Sequence, residues 1–150
     1  MHTFKDNQGR QWTVEITVAA LKRVKALTGV DLAGILEGGV LERLAIDPVL
    51  LGDVLYAICK PQADAGNVSD EDFGSALAGD AIEKATDALL EGLVDFFPSA
   101  RREILKILLK KVREGEQGVL ERARKVVEEL DVQKTLEQEL NDGTPPLSGD

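Results

Sequence analysis

The chain is poor in the side chains that most chemistries require. Its 150 residues include one cysteine, Cys59, and one histidine, His2. A single thiol closes no internal disulfide, which excludes a stapled secreted scaffold. With so few ligands, Cys/His zinc clusters are excluded too. A lone histidine in what reads as a loose N-terminal end leaves no Ser-His-Asp triad and no Cys-His dyad. No catalytic residue, metal or cofactor is expected. Aromatic residues make up 4% of the chain, so any core must be built from Leu, Val, Ile and Ala. The longest unbroken apolar run, residues 54–59, is six residues, against ~20 needed to span a bilayer. Residues 1–7 lack the apolar stretch of a signal peptide. The expectation is a non-enzymatic cytoplasmic protein that does not contact membranes.

What the chain does have is length, leucine and unevenly spread charge. A domain of this size buries roughly 70% of its unfolded surface, enough for a true core. The net charge is −9, which disfavours nonspecific contact with nucleic acid. Residues 1–60 are neutral, 61–97 carry net −8, 98–130 net +3 and 131–150 net −4. An acidic middle followed by a basic stretch invites pairing within or between chains, and a homo-oligomer is one outcome.

The opening residues read as a hairpin. Phe4-Lys5 enters the turn formers Asp6-Asn7-Gln8-Gly9, and residues 10–16 alternate so that Trp12, Val14 and Ile16 share a face. Thr17 is placed to cap a helix carrying Val18, Leu21, Val24 and Leu27, closed by Thr28-Gly29, with Lys22, Arg23 and Lys25 on an exposed basic side. Residues 30–36 suit a short helical turn ending at Gly38-Gly39, and residues 40–45 fit no single pattern. Asp47-Pro48 opens a helix with Val49, Leu50, Leu51, Val54, Leu55 and Ile58 in a broad apolar stripe, which Lys60-Pro61 is expected to stop. Residues 62–68 read as a loop, and Ser69-Asp70-Glu71-Asp72 as the start of another helix. Residues 78–80 interrupt it, and the pattern resumes over 81–97 with Ile82, Ala85, Leu89, Leu93 and Phe96 near one face. After Pro98, Ser99 is placed to cap a long helix in which Gly115 and Gly118 mark a kink or break. Residues 120–140 are again helical in pattern, and 141–150 have the composition of a disordered tail. The expected fold is therefore mainly α, an N-terminal β-hairpin packed on about five helices. The expected domain spans 1–130, with 131–150 partly helical and then flexible.

Each candidate site has a plain structural reading beside it. Asp70, Glu71 and Asp72 are dense in charge, but counting from Asp70 puts Ala81, followed by Ile82, where a calcium loop needs glutamate. They read as helix-start acids. Asp53 among Leu51, Val54 and Leu55 could be a buried or half-buried general base, but it reads more simply as part of a solvated face or as paired with Lys60 or Arg43. Cys59 reads as a small core residue. Gly38-Gly39 and the Asn7–Gly9 turn lack the strand-to-helix context of a phosphate loop. The strongest feature is the stretch from Arg101 to Arg113. Ile104, Leu105, Leu108, Leu109 and Val112 are spaced as an apolar stripe, with Arg101, Arg102, Lys106 and Lys110 on the other side. Its plain reading is a solvated or inter-chain face matched to the acidic 61–97 stretch; without aromatic interleaving or a helix-turn-helix pair, the functional reading beside it is a surface, with 120–140, for another helix rather than for nucleic acid.

Three stretches resemble a known type. Residues 4–12, Phe-Lys-Asp-Asn-Gln-Gly-Arg-Gln-Trp, resemble the opening hairpin of small proteins from tail-gene modules of tailed bacteriophages and prophages. Residues 47–56, Asp-Pro-Val-Leu-Leu-Gly-Asp-Val-Leu-Tyr, and the acidic Ser69–Phe73 opening, running on to Phe96-Phe97-Pro98, fit the same type. The resemblance covers residues 3–113 and implies a tail assembly chaperone, which binds the long helical tape-measure protein before the tail tube polymerises. It also implies a helical fold and no active site. A structural connector or tail-completion protein of the virion is the alternative. A nucleic-acid-associated regulator using the basic helix 101–113 comes after it.

Overall fold

The computed structural model describes residues 2–37 and 39–143, with side chains at all of these except 116, 117, 119 and 131–143. Two compact units divide between Val112 and Arg113. The first carries the β-hairpin and most of the helices. Its elements are β1 (His2–Lys5), β2 (Gln11–Val14), α1 (Val18–Thr28), a 3₁₀ turn at Leu32–Gly34, α2 (Val40–Ile46), α3 (Pro48–Ala65), α4 (Asp70–Ser75) and α5 (Asp80–Phe96). The last helix, α6 (Ser99–Gly143), begins in this unit and supplies the second. The fold is mainly helical with an N-terminal hairpin, as the pattern predicts.

The hairpin pairs Phe4 with Trp12 and His2 with Val14 in antiparallel register. Gly9 takes φ 78°, the left-handed conformation that its turn position demands. Phe4, Trp12 and Val14 point inward; β1 rests on α5 and β2 on α3. Phe73 of α4 ties the layers together, its ring 4.9 Å from Trp12 edge-on and 5.5 Å from Tyr56. The outer edge of β2 is closed by a side chain: Thr13 N–H donates to Gln62 Oε1 (3.0 Å), and Gln62 Nε2 donates to the Gln11 carbonyl (2.7 Å).

The caps follow the sequence signals. Thr17 accepts from Ala20 N–H, Asp47 from Val49 and Leu50 N–H, and Ser69 from Asp72 N–H. Gly29 ends α1 at φ 76°. Residues 40–45, which fit no single pattern, form α2 together with Ile46.

α3 is the hub, in contact with α1, α2, α4, α5 and β2. It also corrects the reading of Pro61 as a stop, because the helix runs through it to Ala65. Proline has no N–H for the Ala57 carbonyl four residues back. The guanidinium of Arg23 takes that place, Nε donating to Ala57 O at 2.6 Å and a terminal nitrogen to Ile58 O at 3.1 Å. Arg23 is thus half-buried and engaged, not part of a free basic face. The expected 62–68 loop shrinks to the residues after Ala65.

Other corrections concern single residues. Val18 and Leu27 are exposed, since the buried face of α1 is Ala20, Leu21 and Val24. Val49 is 72% exposed, because it lies on the outer face of the first turn of α3, which turns Leu51 into the core instead. His2 is held in β1, with Nε2 2.7 Å from Asp95 and Nδ1 3.1 Å from Glu91. α6 begins at Ser99 itself and continues through Gly115 and Gly118 to Gly143. Two glycines, at about 1 kcal/mol each, are too small a penalty to break a helix of this length. Of the stretch read as a disordered tail, 141–143 belong to α6 and 144–150 lie outside the described residues, as does Gly38.

Candidate functional site

The stretch from Arg101 to Val112 sorts into two faces once folded. Leu105 and Leu109 are buried in the core cluster, and Leu108 and Val112 are half-buried against it. Ile104 is 49% and Ile107 57% exposed, flanked by exposed Arg101, Lys106, Lys110 and Lys111. Arg102 turns the other way. Its Nε donates to the Val94 carbonyl (3.0 Å) and a terminal nitrogen to the Asp95 carbonyl (3.1 Å). It thereby satisfies two of the carbonyls that the end of α5 leaves without intrahelical partners. Lys106 pairs locally with Glu103 at 3.5 Å. Of the nine residues read as a binding surface, Ile104, Arg101, Lys106 and Lys110 therefore stand open, Leu108 and Val112 partly so, and Leu105, Leu109 and Arg102 are occupied within the fold.

A second feature was not legible in the sequence. A cleft of about 310 Å³ opens between the first turns of α3, α4 and the start of α5. Leu51, Leu55, Leu77 and Ile82 give it an apolar lining, and Asp53 and Asp70 bring carboxylates to it. Asp53 is exposed there, as the solvated-face reading has it and not the general-base one, while Lys60 pairs with Asp64 at 2.9 Å. The cleft exists partly because Gly52 and Gly74 border it: a Cβ added at either would meet nothing within 4 Å. Val49, also in the lining, leaves 72% of its surface open, and Ile46, two residues before Pro48 in the chain, leaves 76%. The signal available was a pair of helical glycines next to apolar residues, a pattern that equally describes close helix packing.

The titratable groups play structural roles. The Asp6 side chain is almost fully enclosed, accepting from Trp12 Nε1 (2.8 Å), Arg10 Nε (2.8 Å), Gln8 N–H (2.9 Å) and Arg10 N–H (3.0 Å). Burial works against its ionisation, but these donors together outweigh it and hold the carboxyl below the usual aspartate value. Burial pushes the Cys59 thiol up to about 12, which keeps it protonated and unreactive at neutral pH. The hydrogen bond from His2 lowers Asp95. Among the described residues no three His, Cys, Asp or Glu side chains form a group able to hold a metal ion, and no helix is long and apolar enough to cross a membrane.

Comparison with family models, curated proteins and solved structures finds no match to this chain.

Proposed function

We propose that this protein is a non-enzymatic assembly chaperone or adaptor of the phage-tail type, which holds an apolar helical segment of a tape-measure protein. The observation that carries the reading is the apolar cleft between α3, α4 and α5, with exposed Val49 and the carboxylates of Asp53 and Asp70 in its lining. An amphipathic helix laid in such a groove buries its apolar side chains, while the carboxylates favour a basic residue on its flank. The open side of α6, at Ile104 and Ile107, offers a second strip of the same kind. The acidic stretch 61–97 would keep a client-loaded complex soluble.

The test is capture of the long helical tail protein on co-expression with the tagged chain, under nuclease treatment and a high-salt wash. Gly52→Leu fills the cleft at a helical position with open space around it, and Val49→Glu charges its border; both should leave the circular dichroism unchanged. Each is expected to lower capture at least about tenfold, the effect of about 1.4 kcal/mol. Capture equal to wild type by both variants rejects the cleft. Ile104→Glu and Ile107→Glu then read the α6 strip. Recovery of the chain in finished particles favours the connector reading. Recovery of nucleic acid alone, lost steeply with salt, favours the basic helix.

A further inference from the structure

Two apolar features of this chain are complementary in charge. Within α6, Leu120, Val126, Val127 and Leu130 leave 54–66% of their surface open, and Ala123 is exposed among them. At 3.6 residues per turn these five share one side, over about a third of the helix circumference. An exposed arginine stands on each border of that strip, Arg124 beside Leu120 and Arg122 beside Val126. Glu121, Lys125, Glu128 and Glu129 lie farther round the helix. The cleft between α3, α4 and α5 has the opposite sign. Leu51, Leu55, Leu77 and Ile82 give it its apolar lining, and its charged lining residues are Asp53 and Asp70, with no cation. Neither carboxylate has an ion-pair partner among the described residues. Residues 61–97, which carry α4 and α5, add a net charge of −8 around it.

We infer that residues 120–130 of one copy of this chain seat in the cleft of a second copy. The leucine and valine side chains enter the apolar lining, as an amphipathic helix does in a groove. The two arginine borders then reach the carboxylates that α3 and α4 bring to the cleft. A strip laid on the same strip of another copy is the poorer solution, because it sets arginine border against arginine border. The contact joins two different surfaces, so two copies either exchange strips in a closed dimer or link head to tail. The inference rests on the reading of the cleft as a helix-binding groove, but it needs no client, since one chain supplies both halves.

Sedimentation of the full chain between about 10 and 200 µM should show concentration-dependent association. Val127→Glu in the strip and Gly52→Leu in the cleft should each weaken it at least about tenfold, with circular dichroism unchanged. Mixing the two variants is the decisive step. Val127→Glu keeps its cleft and Gly52→Leu keeps its strip, so together they should form a one-to-one complex although neither associates alone. A charge pair repeats the test without filling the cleft. Arg122→Glu with Arg124→Glu, and separately Asp53→Lys with Asp70→Lys, should each abolish association, and the mixture of these two proteins should recover it. A chain that stays monomeric at the highest concentration overturns the inference, including the case in which only a client covers the strip. So does association indifferent to Val127→Glu, or mixtures that associate no better than their components. Client capture separates the two readings. Absent self-association with capture still lost in Gly52→Leu overturns this inference alone. Self-association with capture unaffected by Gly52→Leu and Val49→Glu retires the client reading alone.

Discussion

At the residue scale, Asp6 is the side chain whose environment departs furthest from its sequence context. In the sequence it is one of four turn formers; in the fold it is a buried carboxylate that gathers four donors. Asp6→Asn should cost about 2 kcal/mol at pH 7, because hydrogen bonds to a charged group are worth about 1.5–3 kcal/mol and the amide turns a donor toward Trp12 or Arg10. The sign of the pH dependence follows from the lowered pKa. A depressed carboxylate contributes stability that is complete above the unfolded aspartate value of about 3.9 and disappears as pH falls through the lower folded value. Urea denaturation from pH 6 down to pH 2 should therefore show wild type and Asp6→Asn converging below about pH 4. A constant difference across that range would remove the ionised carboxylate as the cause.

At the element scale, two helices depend on a partner for their continuity or their packing. α3 contains Pro61, and the buried Ala57 carbonyl that the proline leaves without a donor is filled, together with that of Ile58, by Arg23 of α1. Arg23→Met should cost about 1–3 kcal/mol, the range for leaving buried acceptors unpaired. Pro61→Ala restores an N–H to Ala57, so the same Arg23→Met change should cost less in that background. A double-mutant cycle measures the coupling, and independent effects would show that the arginine does not serve the proline. α5 depends on close approach instead. A Cβ at Gly92 would stand 3.0 Å from Ile16 Cγ1 and 3.7 Å from Val14 Cγ1, so this helix lies close enough to β2 and the residues after it that a side chain here has to displace Ile16. Gly92→Leu should destabilise by about 2 kcal/mol through overpacking, despite the gain in helix propensity, as read by thermal or urea unfolding.

At the scale of the whole molecule, the buried core cluster runs from Phe4 to Leu109 and so lies within the first unit. A chain ending at residue 116 should keep a single cooperative unfolding transition, with stability within about 1 kcal/mol of the full chain. Loss of cooperative folding on truncation would mean that the second unit contributes to the core after all.

Much of this architecture can be read from residue order alone. Alternation over 12–16, the caps at Thr17, Asp47 and Ser69, and the left-handed glycines at positions 9 and 29 are local effects, set within about four residues of chain. Local physics therefore determined where most elements begin, and that the fold is helical with a leading hairpin. What the sequence could not determine depends on residues distant along the chain. Pro61 reads as a stop until Arg23, 38 positions earlier, supplies the missing donor. Val49 reads as core until the neighbours of α3 cover the side of its first turn that carries Leu51 and leave Val49 open. Leu105 and Ile104 are adjacent and equally apolar, yet one is fully buried and the other half open, because only the packing of α6 decides which side faces inward. The cleft belongs to the same class: three helices enclose it, and no single stretch of sequence contains it. Secondary structure follows from short-range sterics and hydrogen bonding, whereas burial, and with it any binding surface, follows from which faces meet.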